Sequence, residues 1–190
     1  MDKNIWMKYE STTSIGDAIR DLHPRFEIVS YEQFKKDMIS AFPEYDGDDD
    51  SDIKNIYNSI KFPNRSTVGS AGYDFKSPFY FYIKPGESIM IPTGIRAYMP
   101  FGMVMMIYPR SGLGTKYRMG LANSTAVIDS DYYNSDNEGH IHLKIVNDGN
   151  KTITIEQGQA FAQGVFTRYF TTYGDVSYGA RNGGFGSTDK

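Results

Sequence analysis

HIHLKIV, residues 140–146, alternates without a break: Ile141, Leu143 and Ile145 fall on one face, His140, His142 and Lys144 on the other. A period of two marks a strand with one buried and one solvated face. Similar segments lie on both sides of it. FYFYI (79–83), SIMI (88–91), GMVMMIY (102–108), TITI (152–155) and AFAQGVF (160–166) are short and apolar, and PGE, PTG, DGN and EQG turns bound them. Many short strands at even spacing predict an antiparallel all-β barrel or jelly roll from residue 62 onward.

Before residue 62 the patterns are helical. SIGDAIRDL (14–22) pairs Ile15 with Ile19, and Ser14 is a candidate N-cap. In SYEQFKKDMISAF (30–42), Ser30 and Gln33 form a capping box, and Phe34, Met38 and Phe42 share one face. DIKNIYNSI (52–60) repeats Ile53, Ile56, Tyr57 and Ile60 at helical spacing. The acidic run PEYDGDDDSD (43–52) separates these two helices. Read from Asp46 as a calcium loop, it has Ser51 where glycine is needed and Tyr57 where the bidentate glutamate is needed. A solvated loop is the expectation.

Composition narrows the function. The 190 residues are 39% hydrophobic and 23% charged, as in an ordinary globular domain. A net charge of −3 argues against a general nucleic-acid binder. The absence of cysteine excludes disulfides, thiolate metal sites and cysteine nucleophiles. MDKNIWMKYESTT has no signal-peptide core, and the longest apolar run, MVMMIY, is too short for a bilayer. A cytoplasmic protein is expected, in the host cytoplasm if a phage encodes it.

Five stretches differ in composition from the strands around them. SAGYDF (70–75) sets Asp74 after a glycine turn, and PRSGLGTK (109–116) offers Arg110, Ser111 and Gly112. NSTAVIDSDYY (123–133) carries Asn123, Ile128, Asp129 and Tyr132, and QAFAQG (159–164) places Gln163 in an apolar strand. The tail ARNGGFGSTDK (180–190) supplies Arg181, Phe185, Gly186, Ser187 and Thr188. Arginine, serine and glycine backbone hold phosphate oxygens, and an aromatic ring stacks on a base. His140 and His142 form an H-x-H pair that could chelate a metal, but no third ligand is evident, and polar residues on an outer strand face are commoner.

In this order, AGYDF, PRSGLGTK, AVIDSDY, FAQG and GGFGST resemble the five motifs of the trimeric deoxyuridine triphosphatases over residues 62–190. The resemblance implies a jelly-roll-like β subunit in a homotrimer with shared sites. Residues 1–61 would be a helical extension or insertion, with its first barrel strand at 26–30. Residues 62–179 would form the barrel and 180–190 a lid arm. It implies Mg-dependent hydrolysis of dUTP to dUMP and pyrophosphate, which keeps uracil out of DNA and supplies dUMP for thymidylate synthesis. Asp129 would activate the attacking water, and Asp74 would reach Mg2+ through water. Arg110, Ser111 and Gly112 would bind phosphate, with Gln163 beside the α-phosphate. Tyr132 would lie against the deoxyribose and reject UTP. Asn123 and the hairpin backbone at Ile128 would pair with uracil. Phe185 would stack on the base, with Arg181, Gly186, Ser187 and Thr188 around the terminal phosphates.

Four departures stand out. Ala160 replaces a usual arginine, for which Arg168 is the candidate substitute, and Ala126 replaces a usual glycine. YYNSDNEGH (132–140) is a longer loop than the family's, and Arg181 lies closer to the glycine pair. A dCTP deaminase of the same fold needs a glutamate where Lys144 stands. Residues 1–61 would either cover the barrel or bind a protein partner, and intramolecular packing is the commoner use of such apolar stripes.

Overall fold

The computed structural model describes residues 22–177 and residue 179. The tail at 180–190 and nearly all of the helix expected at 14–22 lie outside the described residues.

The chain enters on β1 (Arg25–Ile28) and passes into α1 (Tyr31–Ala41) and α2 (Ser51–Asn58). Next come β2 (Tyr73–Lys76), β3 (Phe81–Ile83), β4 (Ser88–Pro92), β5 (Ile95–Tyr98) and β6 (Met103–Pro109). The short α3 (Ser111–Tyr117) leads to β7 (Met119–Leu121) and β8 (Ala126–Asp129), and a 3-10 turn (Ser130–Asn134) follows. β9 (His142–Asn147), β10 (Ile153–Ile155) and β11 (Ala160–Arg168) complete the order. All strand pairings are antiparallel.

The strands form a four-stranded sheet β2-β11-β6-β8, a three-stranded sheet β4-β9-β7, and the pairs β1-β5 and β10-β3. Among the described residues these ladders do not join into a closed barrel, one of the two architectures that the strand spacing suggested. Side chains close the structure instead. Phe75, Phe161, Met105, Ile107, Ile91, Leu143 and Ile145 fill one core shared by the sheets. Burying each such side chain is worth about 1.5–3 kcal/mol.

A second core, Val29, Phe34, Met38 and Ile53, lies under the two helices, and Ile60 and Phe79 pack against both cores. At Gly94, which has φ +74, a Cβ would lie 2.3 Å from Ile60 Cδ1. Glycine there lets the end of the helical segment sit directly on the strand turn.

Local chemistry explains α1. Ser30 is its N-cap and accepts the Gln33 N–H at 3.2 Å. The reciprocal half of the expected capping box comes from elsewhere. Ser30 N–H and Oγ donate to the Glu138 carboxylate at 2.8 and 2.6 Å, while Gln33 Nε2 turns to Asp37 Oδ2 at 2.7 Å. A carboxylate at a helix N-terminus satisfies an orphan donor and complements the helix dipole. In the acidic loop, Asp50 ties the two helices together through Lys35, Lys54 and the Tyr31 hydroxyl.

The central strand also corrects one expectation. Ile141, Leu143 and Ile145 are buried as their period requires, but His140 is 0% exposed rather than solvated. Its imidazole is satisfied by Gly94 N–H and Asp37, both distant in sequence.

On β1, Glu27 accepts Tyr133 Oη at 2.6 Å and pairs with Arg25 and Arg96, each at 2.8 Å. Burial pushes its carboxyl up, but the bonds from Tyr133, Arg25 and Arg96 outweigh this and hold it at about 2, against an ordinary 4.5. A depressed carboxyl stabilises fully above its unfolded value and loses that contribution as pH falls. Glu27→Gln should therefore lower Tm near pH 7, and the gap to wild type should close between pH 4.5 and about 2. Thermal melts across that range check this.

Candidate active site

The four-stranded sheet separates its side chains into two faces. Phe75, Met105, Ile107, Ala126 and Ala162 point into the core. Register puts the opposite set on the outer face: Asp74 opposite Gln163, Gln163 opposite Tyr108, Val165 opposite Met106, Met106 opposite Val127, and Val104 opposite Asp129. Directly opposed residues share a face. Asp74, Gln163 and Asp129, on three different strands, therefore all project from one side of one sheet.

They occupy opposite ends of that side. Four residues along β6, from Tyr108 to Val104, and three strand spacings separate Asp74 from Asp129. At about 3.4 Å per residue and about 4.8 Å per strand, this is about 20 Å between Cα atoms. Between them stand Met106, Val165, Tyr108 and Val127, the last 51% exposed on the edge strand.

At the first end, Asp74 is only 6% exposed and forms an ion pair with Arg110. Its Oδ2 also accepts Ser66 Oγ at 2.8 Å, and its backbone bridges to Asn64. Arg110 is the N-cap of α3, so PRSGLGTK is a strand end and a short helix rather than an open turn. Ser111 and Gly112 begin that helix, with their backbone N–H groups outside its i→i−4 ladder. Arg110, Gly112, Lys116 and Ala160 help line an open cleft of about 430 Å³. Gln163 donates Nε2 to Pro109 O at 3.4 Å, and its Oε1 lies over Gly72. Within one chain Arg168 does not reach the place left by Ala160. It pairs opposite Met103 at the far end of β11, eight residues and about 26 Å away in the same chain.

At the second end, Asp129 is half-buried at the junction of β8 and the 3-10 turn. Tyr132 follows within that turn, 6% exposed, its hydroxyl donating to His140 O at 2.7 Å and accepting Asn137 Nδ2 at 2.8 Å. Asn123 lies in the tight turn before β8, where Ser124 has φ +63 and Thr125 N–H donates to Asn123 O at 2.6 Å. Ile128 is half-buried opposite Met105. Arg181, Phe185, Gly186, Ser187 and Thr188 lie outside the described residues.

One chain therefore brings Asp74, Arg110, Ser111, Gly112 and Gln163 together, and separately holds Asn123, Ile128, Asp129 and Tyr132 along one hairpin. It does not bring the two groups to each other. No local pattern marks Asp37, Glu138 and His140 as supports of the second group, because their contacts span 103 and 108 positions. The one available hint was the extra length of the 132–140 loop.

The structure defines the class as an antiparallel β protein that presents carboxylates, an amide and an arginine at the two ends of one sheet face. The comparisons make the class specific. The dUTPase family model matches residues 58–188. The deoxyuridine 5'-triphosphate nucleotidohydrolase of Lactococcus lactis is 44% identical over 132 residues, covering 68% of this chain and 88% of that protein. The Hahella chejuensis protein of the same name is 37% identical over 145 residues, covering 71% and 91%. The dUTPase structure from Streptococcus mutans superposes with TM-score 0.58 at 31% identity, covering 78% of this chain and 98% of that one. A dUTPase from phage phi11 of S. aureus gives 0.57 at 19% identity, covering 87% and 99%, a likeness of fold. The chain belongs to the dUTPase family.

Arg110 neutralises a carboxylate that is nearly buried, so its removal should leave Asp74 short of a partner. Arg110→Ala should destabilise the fold by about 1–3 kcal/mol, and adding Asp74→Asn should recover part of the loss. Urea denaturation of the single and double variants measures both.

Proposed function

We propose that this protein hydrolyses dUTP to dUMP and pyrophosphate. The observation that carries the reading is the outer sheet face, where the carboxylates, amide and arginine of four family motifs are presented in a member of that family. Asp129 takes a proton from the water that attacks the α-phosphorus. The bond from that phosphorus to the bridging oxygen of the β-phosphate breaks, and pyrophosphate departs. A carboxylate suits this work because it stays ionised at neutral pH and needs only hydrogen-bond reach to the water.

Arg110, Ser111 and Gly112 bind phosphate oxygens at the α3 end, with Gln163 beside the α-phosphate. Asn123 and the hairpin backbone at Ile128 pair with uracil, and the cytosine amino group would leave that hydrogen-bonding edge mismatched. The Tyr132 ring lies against the deoxyribose, its hydroxyl anchored so that it cannot turn aside for a 2′-hydroxyl. Arg181, Phe185, Gly186, Ser187 and Thr188 complete the site over the base and terminal phosphates.

A water and an α-phosphorus cannot lie within reach of both Asp129 and the Asp74 group in one chain, since about 20 Å divides them. We therefore assign each site to more than one copy in a homotrimer. The exposed Val127 and Tyr108 between the two groups fit an interface better than a free surface. Cytoplasmic action, in a host if the chain is phage-encoded, would hold down dUTP and supply dUMP for thymidylate synthesis. Among the described residues no helix is long and apolar enough to cross a membrane.

The residues at the first end fit a magnesium ion that arrives with the triphosphate. One carboxylate, Asp74, beside phosphate-binding groups is what an ion that keeps much of its water shell requires. Asp74 would hold it through water, and when bound it would offset phosphate charge. A structural Mg(II) ion is described for a phage phi11 dUTPase mutant.

Purified protein should release dUMP and pyrophosphate from dUTP with magnesium, and turn over dTTP, dCTP and UTP far more slowly. Asp129→Asn should lower kcat by about 10²–10⁴-fold with binding retained. No dUMP from dUTP would contradict the reading, and equal turnover of UTP would remove the role of Tyr132.

A further inference from the structure

The helical segment and the long loop meet at three side chains that have the composition of a metal site. Asp37, His140 and His142 hold ligand-type atoms all within 4.8 Å of one another. Two imidazoles and a carboxylate suit zinc, manganese or iron(II). One hydrogen bond decides otherwise. His140 Nε2 accepts the Gly94 N–H at 2.7 Å, so this nitrogen carries no proton. A neutral imidazole keeps one proton. It therefore sits on Nδ1 and points at Asp37 Oδ2, 2.5 Å away. A metal on Nδ1 would drive that proton to Nε2, directly against the Gly94 N–H. A metal on Nε2 would have to displace Gly94. Burial also holds the His140 pKa below its ordinary value, disfavouring the imidazolium. The cluster is a proton-ordered clamp, with Asp37 Oδ2 accepting from Gln33 at 2.7 Å and facing His142 Nε2 at 3.3 Å.

What the clamp holds is the Tyr132 loop. With both ring nitrogens engaged, the His140 residue is fixed, and its carbonyl is the acceptor for the Tyr132 hydroxyl. Asn137 Nδ2 reaches that hydroxyl and the His140 carbonyl together, at 2.8 and 3.2 Å. Just before His140, Glu138 and Gly139 both have positive φ, +58 and +72. For Glu138 this conformation costs about 1–2 kcal/mol, and its carboxylate is held on the first turn of α1 by Ser30. At Gly139 a Cβ would lie 2.7 Å from Tyr133 Cα and 2.9 Å from Tyr132 O. The loop thus folds tightly back on Tyr132, and its two outward grips, Glu138 and His140, both close on α1.

We propose that Asp37 and Glu138 are positioning residues for Tyr132, so that the segment containing α1 sets the enzyme's discrimination between deoxyribose and ribose. This rests on the reading of Tyr132 as the residue against the sugar. Losing either grip frees the loop, lets the ring turn aside and admits a 2′-hydroxyl.

The experiment compares kcat and KM for dUTP and UTP in wild type, Asp37→Ala, Asp37→Asn, Glu138→Ala and Ile53→Ala. Ile53 is an apolar member of the core beneath the helices and contributes no hydrogen bond to either grip, so it reports loss of stability. Asp37→Ala and Glu138→Ala should each lower the dUTP/UTP ratio of kcat/KM about tenfold, the worth of about one hydrogen bond. Asp37→Asn, which keeps an acceptor for the Nδ1 proton, should restore most of it. Ile53→Ala should lower Tm and leave the ratio unchanged. An unchanged ratio in the Asp37 and Glu138 variants, or an equal fall in Ile53→Ala, overturns the proposal while leaving dUTP hydrolysis standing. A wild type that does not distinguish UTP overturns this proposal and the sugar role of Tyr132 together. If Asp37→Ala does not fold, Glu138→Ala gives the same decision. Nitrogen-15 NMR should find the His140 proton on Nδ1, and stoichiometric zinc or manganese binding that abolishes this signal would overturn the clamp.

Discussion

β6 is paired in register with β11 along all seven of its residues, and on its other side with β8 over four. A strand held on both sides cannot shorten or slip, because a one-residue slip would turn Met105 and Ile107 out of the core. This constraint places three of the candidate side chains. It sends Asp74, Gln163 and Asp129 to the same face, and it keeps the phosphate-side group away from Asp129 and Tyr132. The separation is set by the backbone register, and no side-chain rotation bridges it. If the two groups serve one site, as we propose, this register requires that copies of the chain share it.

The second group stands on a less regular support. Its loop contains two left-handed residues and an internal network of Tyr132, Ser135, Asn137 and His140. A long loop of this kind loses conformational entropy on ordering and needs outside contacts to hold it. Tyr133 finds one in Glu27 on β1, and Glu138 and His140 find theirs on α1. The segment at 25–60 and the extended loop at 132–140 are therefore two halves of one interface. The helices support the hairpin as well as covering part of the strand core.

Periodicity made much of this legible. Ile141, Leu143 and Ile145 could be placed in the core from their spacing, and Ser30 marked its helix because capping is local chemistry. What escaped was set by contacts distant in the chain. His140 reads as solvated in HIHLKIV because nothing nearby in sequence offers its nitrogens a partner, yet Asp37 and Gly94 do so in space. Glu138 replaces Gln33 in the capping box for the same reason. In sequence Arg168 is the candidate substitute at Ala160, but a strand carries it to the opposite end of the sheet. The motifs pointed to candidate residues and were silent on which of them one chain can bring together, since register is absent from any motif.

Mixing two inactive variants tests the shared site most directly. Asp129→Asn spoils the hairpin group and Arg110→Ala the phosphate group, so neither should hydrolyse dUTP alone. Dissociated and reassembled in equal amounts, they should regain about a quarter of wild-type activity, since random pairing in a closed ring leaves that share of sites with both groups intact. No recovery in demonstrably mixed oligomers would mean that Asp129 and Arg110 must come from the same chain, and would contradict the account.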